Sequence, residues 1–165
     1  MNKKGFTFVE IAVGLAILAI ISAIALPSYF SWLPRYRLQT SVRQIYDDMN
    51  MAKSRAVRTN SVAVAIFDIN NDTYTIFLDT SPENWALDGG EIEISSGSLQ
   101  NDIDIINTTF TAHTYGFNNR GMTQNPATPG DVYLTNPSGL FMGVRVNIAG
   151  GLTIISSPDG GTTWP

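Results

Sequence analysis

Cysteine is absent from the 165 residues, which excludes disulfides, thiolate metal sites and thiol catalysis and leaves the redox compartment open. Histidine is nearly absent. His113 is the only one, so a multi-histidine metal site is excluded and a catalytic triad has one candidate base. It stands in a threonine-rich stretch with no nucleophile motif, where a structural role is expected. No phosphate-binding glycine loop occurs, and Gly89-Gly90, Gly150-Gly151 and Gly160-Gly161 read as turns. Charge is sparse, at 15% of residues, and the cations run out early. Lys3, Lys4, Arg35, Arg37, Arg43, Lys53, Arg55 and Arg58 are followed only by Arg120 and Arg145, against eleven acidic residues. A surface so charged repels polyanions at long range.

What the chain has in quantity is apolar sequence, 44% of residues, enough for one folded domain with an appendage. The first five residues, MNKKG, are polar and doubly basic. Residues 6–26 contain a single charge, Glu10, and are long enough to span a bilayer as a helix. Lys3 and Lys4 place the preceding residues in the cytoplasm and the rest of the chain outside. An ordinary secretory signal is cleaved after its apolar run, at small residues. Here the run ends in Ala25-Leu26-Pro27-Ser28-Tyr29, a poor site of that kind, so the span is expected to be retained. Glu10 is anomalous, because a carboxylate at mid-membrane costs roughly 2.5–3.5 kcal/mol on insertion scales. Either it snorkels to the headgroups or another chain supplies a cation.

Gly5-Phe6-Thr7-Phe8-Val9-Glu10, followed by an apolar helix with Pro27, resembles the N-terminal signature of type IV prepilins and type II secretion pseudopilins. The resemblance implies that a prepilin peptidase cuts between Gly5 and Phe6 and methylates the amine of Phe6. It also implies that Glu10 pairs with the N-terminal amine of a neighbouring subunit, which would supply the missing cation in a low-dielectric core.

Further along, Leu38, Val42, Ile45, Met49, Ala52 and Ala56 recur in steps of four and three, an amphipathic helix stripe. Arg43 and Asp47 lie off it as an i,i+4 pair. Pro27 and Pro34 predict a kink or local unwinding between them. The expected organisation is a leader at 1–5, a transmembrane and assembly helix at 6–34, its amphipathic outer half at 35–60, and a periplasmic β domain at 61–165.

That last region alternates and turns like antiparallel sheet. Strands are expected at 62–67, 73–78, 91–94, 102–105, 108–114, 132–135, 141–148 and 152–156, divided by Gly, Pro and Asn turns. The predicted class is α+β: a long N-terminal helix whose stripe lies on antiparallel sheet. Ser54-Arg55-Ala56-Val57-Arg58-Thr59-Asn60 and Tyr115-Gly116-Phe117-Asn118-Asn119-Arg120-Gly121 are similar to the GspH/FimT family of minor pilins. So are Val132-Tyr133-Leu134-Thr135-Asn136, Gly139 and Val144-Arg145-Val146. The likeness implies two small antiparallel sheets packed against the outer helix, and a minor structural subunit, not an enzyme and without a cofactor. Its partners are the prepilin peptidase, other pilin or pseudopilin subunits and the inner membrane.

Other chemistry fits less well. Asp68-Ile69-Asn70-Asn71-Asp72 with Asp79 mimics a calcium loop, but Thr73 replaces the required glycine and strands flank it, so a hairpin turn is expected. Glu91/Glu93 and Asp102/Asp104 are expected to share solvated strand faces, not a catalytic pocket. Some FimT-type members bind DNA through basic residues near the C-terminal end. Residues 150–165 have no Lys or Arg to release counterions, so nucleic acid is the alternative and not the expected partner. Trp85 and Trp164 read equally as protein-contact anchors or as capped core residues.

Overall fold

In the computed structural model, residues 5–80, 84–100, 102–124, 127–157 and 161 are described. The helix α1 is Phe8–Thr59, 52 residues and about 78 Å at 1.5 Å per residue. Thr7 caps its start. Asn60 ends it in the left-handed conformation, φ 54°, with its N–H returned to the Ala56 carbonyl. The helix continues through Pro27 and Pro34, so the local unwinding expected between them is not found. Each proline removes one backbone bond while the neighbouring turns carry on.

Burial divides α1 sharply. The side chains from Phe8 to Leu26 are exposed, and this stretch is long and apolar enough to cross a membrane. Leu38, Val42, Ile45, Met49, Ala52 and Ala56, the predicted stripe, are fully buried together with Ser41.

Eight strands follow: β1 Val62–Asp68, β2 Thr73–Asp79, β3 Ile92–Ser98, β4 Asp104–Thr108, β5 Thr114–Phe117, β6 Gly130–Thr135, β7 Phe141–Val146 and β8 Leu152–Ser157. They form two four-stranded antiparallel sheets, in the orders β3-β2-β1-β5 and β4-β6-β7-β8. The outer half of α1 packs on both, so helix and sheets share one core. A chain of rings runs through it. Phe67 stacks on Phe110 at 5.8 Å, Phe110 meets Tyr115 at 5.0 Å, and Tyr115 meets Phe117 edge-on at 4.9 Å.

The predicted strand at 108–114 is not found: Thr108 ends β4, Thr114 begins β5, and the residues between them lie in neither. Residues Thr111–His113 form a 3-10 turn in which Ala112 and His113 have φ of 51° and 57°. The threonine-rich composition favours strand locally, but Phe110 must turn inward and the chain must cross from one sheet to the other. The expected alternation at 91–94 also fails. A register shift opposite Ile76 and Phe77 leaves Ile92 56% exposed while Ile94 packs on the core.

Candidate functional site

At the N-terminus, Gly5, Phe6 and Thr7 precede the helix and are exposed. Thr7 is extended and accepts from Glu10 N at 3.3 Å. Its own N–H and hydroxyl both donate to Glu10 Oε2 at 2.8 Å. This is a reciprocal capping box, and it sets a carboxylate against the positive end of the helix dipole. Glu10 therefore has an intrachain account that neither sequence reading included, although Thr7-Phe8-Val9-Glu10 carries the T-x-x-E spacing in plain view. Oε1 takes no bond from the described residues, so it is available to a donor on a second chain.

Where the outer half of α1 meets the sheets, polar contacts fix it lengthwise. Arg37 Nη1 bonds Asp102 Oδ2 at 3.0 Å in the turn before β4. Asp48 accepts from the Tyr74 hydroxyl and from Ser95 Oγ, tying the helix to β2 and β3. Burial, then the Asp48 carboxylate, pushes the Tyr74 hydroxyl well above the usual phenol range. Lys53 Nζ donates to the Gly150 carbonyl at 2.8 Å. Gly150 itself has φ of 70°, and a Cβ there would lie 1.9 Å from the Gly121 carbonyl oxygen. The helix end, the 118–121 turn and the β7–β8 hairpin thus close on one another at a point that admits only glycine. Sequence reasoning passed over Asp48 and Lys53, because nothing in their spacing marks them off from solvated residues.

The acidic residues are mostly structural. Asp68 Oδ1 accepts from Asn70 N and Asn71 N, closing the β1–β2 hairpin, and the bond from the Asn71 side chain holds its carboxyl below the usual range. Asp72 Oδ1 accepts from Ile105 N at 2.8 Å, joining that hairpin to the other sheet. The two acidic pairs do not share strand faces as expected. Glu91 precedes β3 and accepts from Asp88 N, and Asp102 sits in a turn with φ of 74°, a conformation no strand residue adopts. Glu93 and Asp104 are exposed.

Across β6 and β7, Asp131 and Arg145 are register partners joined by two parallel bonds, Nε–Oδ1 at 2.9 Å and Nη2–Oδ2 at 3.0 Å. The Tyr133 hydroxyl donates to Asp131 Oδ2, and burial with that bond pushes its pKa up to about 12. One of the two cations beyond Arg58 is therefore engaged within the domain. His113 is exposed and shares a 2.9 Å hydrogen bond between Nδ1 and Thr108 Oγ1, a contact that braces the 3-10 turn.

Trp85 is half-buried. It lies over Val62, Val64, Phe77 and Ile66, a small second core on the outer face of the first sheet. A Cβ at Gly116 would meet the Trp85 ring at 2.3 Å, and the Trp85 backbone N–H donates to Asp79 Oδ2 at 2.9 Å. Of the two readings of Trp85, the structure supports the capped core residue. Trp164 and the leader residues Lys3 and Lys4 lie outside the described residues.

The sequence model of the Type II transport protein GspH family matches residues 41–150, two thirds of the chain. The chain belongs to the GspH family. The prokaryotic N-terminal methylation motif matches residues 1–26. No curated protein sequence matches. Among solved structures, the minor pseudopilin EpsH of the Type 2 Secretion System of Vibrio cholerae is similar, with a TM-score of 0.56 and 12% identity, over 74% of this chain and 99% of that one. The type IV minor pilin FimU of Pseudomonas aeruginosa PAO1 is similar with a TM-score of 0.56 and 12% identity, over 79% of this chain and 94% of that one. A second crystal form of FimU gives 0.52 and 14%, over 78% and 97%. At such identities the likeness speaks for the fold: one long helix on two antiparallel sheets, as predicted. By family and fold this GspH-family chain is a minor pilin or pseudopilin, and the methylation motif implies processing by a prepilin peptidase. The exposed apolar half of α1 is consistent with anchoring in the inner membrane.

Proposed function

We propose that this GspH-family chain is a non-catalytic minor subunit of a pilus or pseudopilus, cut between Gly5 and Phe6, N-methylated at Phe6, and assembled through residues 6–34. Residues 35–60 and 61–165 then form the periplasmic part, which contacts sister subunits. The single observation that carries this reading is the division of α1, whose inner half is apolar on all sides with no partner among the described residues. Such a surface is stable only in lipid or against similar helices, and assembly exchanges the first for the second. The capped carboxylate supports the same reading: Glu10 is held by Thr7 while the subunit waits in the membrane, and Oε1 then accepts from a neighbour's amine. Gly5 to Thr7 lie outside the helix, so a peptidase can reach the bond without unwinding α1. Pro27 is the place where α1 would bend during packing.

Mass spectrometry of the mature protein from its native host tests the processing. The expected polypeptide starts at methylated Phe6. One that still carries Met1 to Gly5 in the assembled machine contradicts the reading.

A further inference from the structure

Between the apolar half of α1 and its first buried turn lies a group of aromatic rings. Tyr29, Trp32 and Tyr36 are 52%, 51% and 49% exposed. Their spacing of three and four puts them on one helix face, turned away from the side that Leu38 and Val42 bury. The rings touch in series. Tyr29 and Trp32 have centroids 6.4 Å apart, and Trp32 stacks on Tyr36 at 4.8 Å with an interplanar angle of 23°. Phe30 meets Tyr29 edge-on at 5.9 Å. Exposed aromatic rings that touch in series, unlike single scattered ones, point to a contact with a partner or a membrane.

We propose that Tyr29 and Trp32 seat in the phospholipid headgroup layer of the outer leaflet, with Tyr36 stacked on Trp32 at its aqueous edge, and fix the height at which the β domain stands on the membrane before assembly. This rests on the reading that α1 anchors the subunit in the inner membrane. Length supports it first. From Glu10 to Tyr29 the helix rises about 29 Å, the thickness of a bilayer's hydrocarbon core, so a Glu10 at one interface puts Tyr29 at the other. The chemistry agrees, since Tyr and Trp offer an apolar body and a polar tip and gather at this depth in membrane proteins. Arg35, exposed between Trp32 and Tyr36 in the chain, offers headgroup phosphates a cation at that depth. Arg37 does not join it. Its guanidinium is tied to Asp102, so the turn that carries Tyr36 is fastened to the β domain. No flexible linker separates seat from domain, because α1 is continuous through both. The seat therefore sets the domain's position as well as the helix's.

The test uses the full chain reconstituted in phosphatidylcholine–phosphatidylglycerol vesicles, with the Trp32 signal taken as the difference between wild type and W32F. Trp32 emission should be blue-shifted. It should be quenched at least about twofold more by lipid brominated near the carbonyl than by lipid brominated at the chain end. In the Y29S/Y36S double variant, Trp32 should become more accessible to acrylamide while the protein still floats with the vesicles. If the protein floats but Trp32 emits as in water and neither bromolipid quenches it, the proposal fails and the stripe belongs to a neighbouring subunit, with membrane anchoring intact. If the full chain does not float at all, anchoring and seat fall together.

Discussion

The inner and outer halves of α1 are one unbroken helix folded for two solvents. From Phe8 to Leu26 the apolar residues go all the way round and none is covered. From Leu38 to Ala56 they narrow to a stripe in steps of four and three, and every member is buried. The polar residues between them hold the helix to the sheets through Arg37, Asp48 and Lys53. Among the described residues nothing packs on the inner half, which leaves that surface open to other neighbours. The outer half is closed to them, because its packing is the core of the domain. Under the proposed function, a subunit that moves from a membrane into a filament uses both properties in one continuous helix.

Paired substitutions break or sharpen that contrast. Ile45→Ala should destabilise the domain by roughly 2–4 kcal/mol, since it removes a fully buried side chain from the seam between helix and sheets. Ile17→Ala, on the exposed inner half, should leave urea unfolding of the domain in detergent within about 0.5 kcal/mol of wild type. Equal effects would mean that the halves are not separate in energy.

Gly150→Ala comes next. It forces a Cβ against the Gly121 carbonyl at a positive φ, and should cost roughly 2–3 kcal/mol in the same measurement while loosening the end of α1 that Lys53 holds.

The smallest effect is alkaline. Tyr74 and Tyr133 hold their protons above the value of about 10 that an unfolded chain shows. Each thus contributes stability that is full below pH of about 10 and is lost as pH rises through the folded value, about 12 for Tyr133. Unfolding midpoints should fall over that window, with tyrosinate absorbance delayed in the folded protein. Tyr74→Phe should flatten the fall, since the bond to Asp48 on the outer half of α1 is then gone.

Much of this was legible in the residues. The six apolar positions from Leu38 to Ala56 predicted the buried face, and the alternation at 102–105 predicted the burial of Ile103 and Ile105. What stayed hidden was set by tertiary contacts. The inward turn of Phe110 overrides the strand propensity of its threonine neighbours, and a register shift puts Ile92 in solvent. Asp48 looks like any solvated acid until Tyr74 and Ser95 arrive from the sheet. At the N-terminus, Gly5, Phe6 and Glu10 stand within residues 1–26, which the methylation motif matches. The Thr7 cap on Glu10 was visible as a spacing but lay behind the more conspicuous question of an uncompensated charge.

Glu10→Gln tests the central claim most directly, because glutamine also serves at the third position of a capping box and so leaves the start of α1 intact while removing the charge. With wild-type expression and membrane insertion, incorporation into assembled filaments should fall at least about tenfold, the equivalent of roughly 1.4 kcal/mol of lost pairing. Incorporation equal to wild type would contradict the account, leaving Glu10 a capping residue and nothing more.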